Sequence, residues 1–238
     1  MVAYVEEYPF SSLNEDATLG GIDGEIIARC CKRLSLPQPS IEEIWLNEVE
    51  EVMASERYDL VTCSLAWSQK RASLAAPSVP LFLARNVLFV PKGNPATIHS
   101  MNDLIAASFS VGAIGEGTED YIIRERVGDQ RVVNYQEQTS MWRDLIEGRI
   151  GGAYFERSAG LAYLAEHPDA GFELADPFED PDAPRLKSAL WFRRSEADIA
   201  AAFNSVLETM KETGELERIL AQYGIPPDEI MPVGDSFP

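Results

Sequence analysis

Histidine, cysteine and positive charge are all scarce in this chain. Its 238 residues include two histidines and three cysteines. A zinc site needs more ligands than His99, His167, Cys30, Cys31 and Cys63 provide, and there is no CxxC, so no metal is expected. Neighbouring helical cysteines point about 100° apart, so a Cys30–Cys31 bridge would be strained and no disulfide framework exists. Catalytic sets are missing as well. No serine lies in GxSxG, no cysteine has a histidine near it in sequence, and acid–base machinery is thin, so neither an enzyme nor a cofactor is expected. No run of about 18 apolar residues occurs, so no spanning helix is expected. Lys and Arg total 20 against 39 Asp and Glu, a formal charge of −19. Nucleic-acid binding needs clustered cations to displace counterions, so that class is excluded. The acids are scattered, which reads as a solvated surface.

The opening MVAYVEEYPF has neither a basic nor an apolar leader region. As written the chain carries no secretion signal, which leaves a cytoplasmic protein or one whose leader has been removed.

Apolar residues make up 45% and aromatics 9%, enough for a full core in one large domain or two lobes of about 100 residues each. Strand patterns at 2–5, 40–45 and 58–62 alternate with helical spacing from Asp23 and over 47–55. That β-α-β-α-β rhythm implies a parallel sheet. A long apolar strand is expected over 81–90, followed by a second α/β series from 101 to 165. A proline- and acid-rich loop (175–185) leads to a strand at 188–192. Two closing helices follow, the first opened by a Ser195–Asp198 capping box. Glu48–Ser64 (EVEEVMASERYDLVTCS) and Ser140–Glu156 (SMWRDLIEGRIGGAYFE) share one form: amphipathic helix, short turn, apolar strand, polar exit. Two similar α/β lobes are expected, each presenting the carboxyl ends of its strands. Open α/β sheets bind ligands there, so a cleft between the lobes follows.

The stretch Tyr58–Arg71 (YDLVTCSLAWSQKR) carries the strongest functional signal. An apolar strand ends in Thr62, Cys63 and Ser64, then Ser68 opens a short helix bearing Arg71. Backbone N–H groups, hydroxyls and a guanidinium that can fork onto a carboxylate suit capture of a small anion. A lone arginine on a short helix is ordinarily a surface residue; the hydroxyl-rich strand exit and the Ser68 cap favour a carboxylate site. Glu156 ends the matching strand of the second series, where it either caps a helix or takes a ligand ammonium. Gly115, Gly117 and Thr118 form a small-residue loop that lacks the lysine of a P-loop but suits a carboxylate. Tyr8 and Trp67 either wall a ligand or pack inward.

Taken in order, EEYPFSSLNEDATLGGIDGEIIARCCKRL, RYDLVTCSLAWSQKR, VGAIGEGTEDY, LIEGRIGGAYFERSAGLAYL and the closing WFRRSEADIAAAFNSVLETMKETGELERILAQYG resemble the bacterial solute-binding protein family 3, the amino-acid-binding proteins of ABC importers. The resemblance covers essentially the whole chain. It implies an α/β, two-lobed Venus-flytrap of the periplasmic binding protein type II class with two crossover hinge strands. Lobe 1 would be 1–84 plus 187–238 and lobe 2 would be 85–186. It places Arg71 on the ligand carboxylate, supported by Ser64, Ala66 with its neighbour Trp67, Gly117 and Thr118. Glu156 falls on the ligand ammonium and the aromatic position falls at Glu7–Tyr8. Several residues depart from the family pattern: Glu156 is longer than the usual aspartate, Glu119 stands where a second threonine is common, and Ala66 lacks a hydroxyl. Glu6, Glu7 and Glu119 point to a polar or basic ligand. The implied function is an extracytoplasmic, monomeric binding protein for an amino acid or related small carboxylate, partnered by an ABC permease. A sensor ectodomain and a dehydratase-like enzyme are the alternatives on the same fold.

Overall fold

Apolar strands too short to stand alone must share a sheet, and the intervening amphipathic helices must cover it. The computed structural model describes residues 1–115, 117–184 and 186–237. The chain forms two units, Met1–Ala84 with Leu186–Pro238, and Arg85–Arg185. Among the described residues each unit carries one five-stranded sheet, and the two sheets share a plan.

In the first unit the order is Ile41–Glu43, Val2–Tyr4, Leu60–Thr62, Trp191–Phe192, Ala76–Pro77. The first three strands run parallel, with Val2 opposite both Ile41 and Leu60, and Trp191–Phe192 is antiparallel to its neighbours. In the second unit the order is Val132–Tyr135, Val111–Ile114, Gly152–Glu156, Asn86–Pro91, Phe172–Leu174. Here too three parallel strands meet one that runs against both its neighbours. The parallel strands Val2–Tyr4 and Leu60–Thr62 are wholly buried, as sheets covered on both faces require.

Three sequence expectations are revised. The single strand over 81–90 is two: Leu83–Ala84 pairs with Leu186–Lys187, while Asn86–Pro91 joins the second sheet. One run of chain serves two sheets, so the strand changes partner at Arg85, whose carbonyl accepts from Arg157 N–H at 2.8 Å. The strand at 188–192 is sheet-paired only at Trp191–Phe192, with Ser188 bridging Ala66. The Ser195 capping box does not form. A 3₁₀ turn, Arg194–Glu196, leads into the helix Ala197–Glu212 without a side-chain cap. Arg193 orders that entry instead, donating to Glu56 O, to Asp59 and to Glu196. All three cysteines are free and buried. Among the described residues no helix is long and apolar enough to cross a membrane.

The second unit packs around Trp142, which is fully buried. Its ring stacks on Phe172 at 4.5 Å and meets the edges of Phe89 and Phe155 at 5.3 and 5.4 Å. Trp142→Ala removes these contacts at once and is expected to lower stability by about 3–5 kcal/mol, as for other large aromatic truncations. Urea unfolding followed by circular dichroism measures this; a loss below about 1 kcal/mol would contradict such packing.

Candidate functional site

The helix Gly21–Arg33 organises the first unit's strand ends. Its apolar stripe (Ile22, Ile26, Ile27, Cys30) is buried, Asp23 lies in the first turn, and Lys32 and Arg33 close the last. The first-turn N–H groups of Ile22 and Asp23 are taken by the carbonyls of Pro9 and Phe10, both at 2.9 Å. This docking requires glycine at the helix start. Gly21 has φ +73°, and a Cβ there would lie 2.7 Å from Phe10 O.

Asp23 turns inward and is completely buried. Its carboxylate accepts from the Thr62 hydroxyl, from Ser64 N–H and, at 2.7 Å, from the Ser64 hydroxyl. Ser64 is thereby held at φ +43°, a left-handed conformation costly for a residue with a Cβ. Burial pushes the Asp23 carboxyl up to about 6, with the Thr62 and Ser64 bonds opposing that rise. Sequence reasoning misses this role: an acid in a first helical turn reads as a partner of the helix dipole. Ser64, expected to face a ligand, spends both its N–H and its hydroxyl proton on Asp23, so its direct part in binding is limited to accepting.

Beyond Ser64 the chain bridges from Ala66 to Ser188, and Trp67 N–H donates to Lys187 O at 2.8 Å. Ser68 caps the helix Gln69–Leu74 by accepting from Arg71 N–H. That cap places Arg71 inward: the residue is 7% exposed. Its Nη1 donates to Ala66 O at 2.8 Å, and its Nε stands 3.8 Å from Glu50. A buried guanidinium is costly unless hydrogen-bonded, so this is not the surface arginine that a short helix ordinarily carries. The Trp67 ring stacks on Phe237 at 5.9 Å.

The neighbouring parallel strand, Val2–Tyr4, exits into a tight loop in which Glu7 N–H donates to Ser11 O and Glu7 O accepts from Phe10 and Ser11. Glu7 is partly buried and its carboxylate takes the Cys63 thiol at 3.5 Å. Burial raises the Glu7 carboxyl above its ordinary value and pushes the Cys63 thiol up strongly. Tyr8 is exposed, and its ring meets the edge of Tyr223 at 6.3 Å. Of the Glu7–Tyr8 pair, it is Glu7 that reaches the strand exit where Ser64 lies.

In the second unit Gly117 and Thr118 begin the helix Thr118–Val127, with Gly117 at the N-cap. The Glu119 carboxylate folds across this loop; a Cβ at Gly117 would lie 2.6 Å from it. Glu156 ends the strand Gly152–Glu156 and caps the helix Arg157–Glu166, accepting from Ala159 N–H at 2.8 Å. This strand lies parallel beside Val111–Ile114, with Gly152 opposite Val111, so Glu156 and the Gly117 loop leave the same edge of the sheet. Each unit therefore gathers its candidates at the carboxyl ends of adjacent parallel strands, Glu7 and Ser64–Arg71 in one, Gly117–Glu119 and Glu156 in the other. The apolar cavity of about 210 Å³ in the first unit, lined by Ile27, Cys31, Leu36 and Phe203, involves none of them.

The Asp23 network has a measurable pH signature. An acid whose pKa is higher folded than unfolded binds its proton more tightly in the native state. Its stabilising contribution is full below about pH 4 and is lost as pH rises through about 6, about 3 kcal/mol in all. Asp23→Asn cannot titrate. The stability of the wild type relative to Asp23→Asn is thus expected to fall by about 2 kcal/mol between pH 4 and 7 in urea unfolding. A gap that stays flat across that range would contradict the burial of a titrating carboxyl.

Comparison with known proteins adds the wider frame. A probable amino-acid ABC transporter periplasmic-binding protein of Sinorhizobium fredii is 24% identical, the match covering 99% of this chain and 80% of the relative. The L-cystine-binding protein TcyJ of Escherichia coli is 25% identical over 89% of this chain and 76% of that protein. Among solved structures, EhuB in complex with hydroxyectoine superposes with a TM-score of 0.82 at 24% identity, over 94% of this chain and 88% of that one. An ancestral arginine-binding protein bound to glutamine gives 0.78 at 20% identity, over 95% and 98%. The fold is thus the mixed α/β architecture of type II periplasmic binding proteins. The model of the bacterial extracellular solute-binding proteins, family 3, matches residues 1–226, and the chain belongs to that family.

Proposed function

We propose that this protein is the extracytoplasmic substrate-binding component of an ABC importer, and that its ligand is an amino acid. The observation that carries this reading is the opposite charge of two groups at equivalent strand ends. Arg71 is buried in the first unit beside a hydroxyl-rich exit, and Glu156 sits at a helix start in the second. A guanidinium forks onto an α-carboxylate, and a carboxylate accepts from an α-ammonium. An amino acid carries both of the charges that these two groups complement. Gly117 and Thr118 would add backbone donors. Trp67 and Tyr8 would contribute at the rim rather than as the floor, given the partners their rings already hold.

The relatives named for amino-acid import and for L-cystine binding support the substrate class and an extracytoplasmic setting. A membrane permease is then the macromolecular partner, and the protein acts as a monomer that binds and releases without chemistry.

Two variants test the assignment by calorimetry and thermal shift against the twenty common amino acids. Arg71→Ala is expected to abolish the ligand-induced rise in melting temperature; a full rise would remove the carboxylate from Arg71. In Glu156→Gln the amide oxygen still accepts from Ala159 N–H, so the helix cap survives. Binding is nevertheless expected to weaken by about 2–5 kcal/mol, the cost of truncating a buried charge pair. Unchanged affinity would place the ammonium elsewhere.

A further inference from the structure

From the contacts of one short segment we infer that Phe237 is a positioning residue of the ligand site, held in place by Lys187 and acting through the Trp67 ring. This rests on the amino-acid reading above and deepens it. The segment 231–237 lies beyond residues 1–226, which the family model matches. It belongs to the first unit, as do all the partners named below. At its start Met231 is buried, and its N–H donates to Leu81 O at 3.0 Å. Pro232, Val233, Gly234 and Ser236 are then exposed, so little apolar burial holds this stretch down. Polar groups hold it instead. Lys211 donates to Pro232 O at 3.3 Å, and Gly234 N–H donates to Glu208 at 3.0 Å. Lys187 Nζ donates to Asp235 at 3.0 Å and to Ser236 O at 2.8 Å.

These anchors deliver one ring. Phe237 is half-buried and stacks on Trp67, with the centroids 5.9 Å apart and the planes 12° from parallel. Trp67 is thereby held twice, both times by way of one residue. Its N–H donates to Lys187 O at 2.8 Å, and the ammonium of the same Lys187 grips the two residues before Phe237. The Lys187 hydrogen bond is also the first cause that keeps the Asp235 carboxyl below its ordinary range. Beside Trp67, Ala66 bridges Ser188 and its carbonyl takes Arg71. The strap therefore backs the loop on which the carboxylate candidates stand. An indole already fixed by a second ring loses little freedom when a ligand arrives. A free one must be ordered at that moment, which weakens binding.

The test is calorimetry. The twenty common amino acids are titrated into the wild type, and the tightest binder is then titrated into Phe237→Ala, Lys187→Met, the double variant and Phe237→Tyr. Lys187→Met keeps the backbone carbonyl on Trp67 N–H but loses the grip on Asp235 and Ser236. Each single variant is expected to weaken binding about 3–10-fold, the cost of ordering one side chain. Because Lys187 acts through Phe237, the double variant is expected to lose no more than the more damaging single variant. Phe237→Tyr keeps a ring on Trp67 and is expected to bind as the wild type does. Unchanged or tighter binding in either single variant overturns the inference and leaves the amino-acid reading intact. So does a loss that Phe237→Tyr fails to restore, or losses that multiply in the double variant. A fall in the unliganded melting temperature that tracks the loss of affinity across the variants overturns it too, since the strap would then support the fold alone. A wild type that binds none of the twenty overturns the amino-acid reading, and the inference with it.

Discussion

The carboxylate of Asp23 joins three pieces of chain that sequence keeps far apart. Its helix is docked by two N–H groups onto the Pro9–Phe10 carbonyls, and its side chain reaches the end of the Leu60–Thr62 strand. There it accepts every proton Ser64 can offer along the bend, and so holds a non-glycine residue at positive φ. From that bend the chain runs to Ala66, whose carbonyl receives Arg71, and past Cys63 it meets Glu7. Removing the acceptor would release the bend from which the chain runs on to Arg71. A carboxyl kept in this environment is costly in solvation, and its raised pKa is the visible sign of that cost.

Local signals made part of this legible before any coordinates. Ser68 followed three residues on by Arg71 reads as a cap, and the cap forms, because an N-cap hydroxyl needs nothing but its own helix. The strand–helix alternation likewise yields parallel strands in both series, since short apolar runs have few other ways to bury themselves. Other features depended on partners distant in sequence. The Ser195–Asp198 box lost to Arg193, whose guanidinium found Glu56 and Asp59 more than a hundred residues away. Leu81–Val90 reads as one strand, but its two halves bond to different sheets.

The candidate site divides along the same line. Arg71, Glu156 and the Gly117 loop are marked by type and by position at strand ends, which sequence pattern locates well. Burial is not written in pattern: Arg71 would pass for a surface residue, and Asp23 for a helix-terminus acid, until tertiary packing encloses them. Glu7 and Tyr8 show how fine the distinction is. A single step along the loop sends Tyr8 to Tyr223 and Glu7 to Cys63, replacing an aromatic wall with a charge at the strand exit.

The proposal at the centre of the account gives Arg71 a ligand carboxylate and Glu156 a ligand ammonium. A crystal structure of the protein with the tightest-binding of the twenty amino acids tests that most directly. The account predicts the ligand's α-carboxylate forked by the Arg71 guanidinium and its α-ammonium within hydrogen-bond distance of a Glu156 oxygen. Either end of the ligand seated on other residues would contradict it.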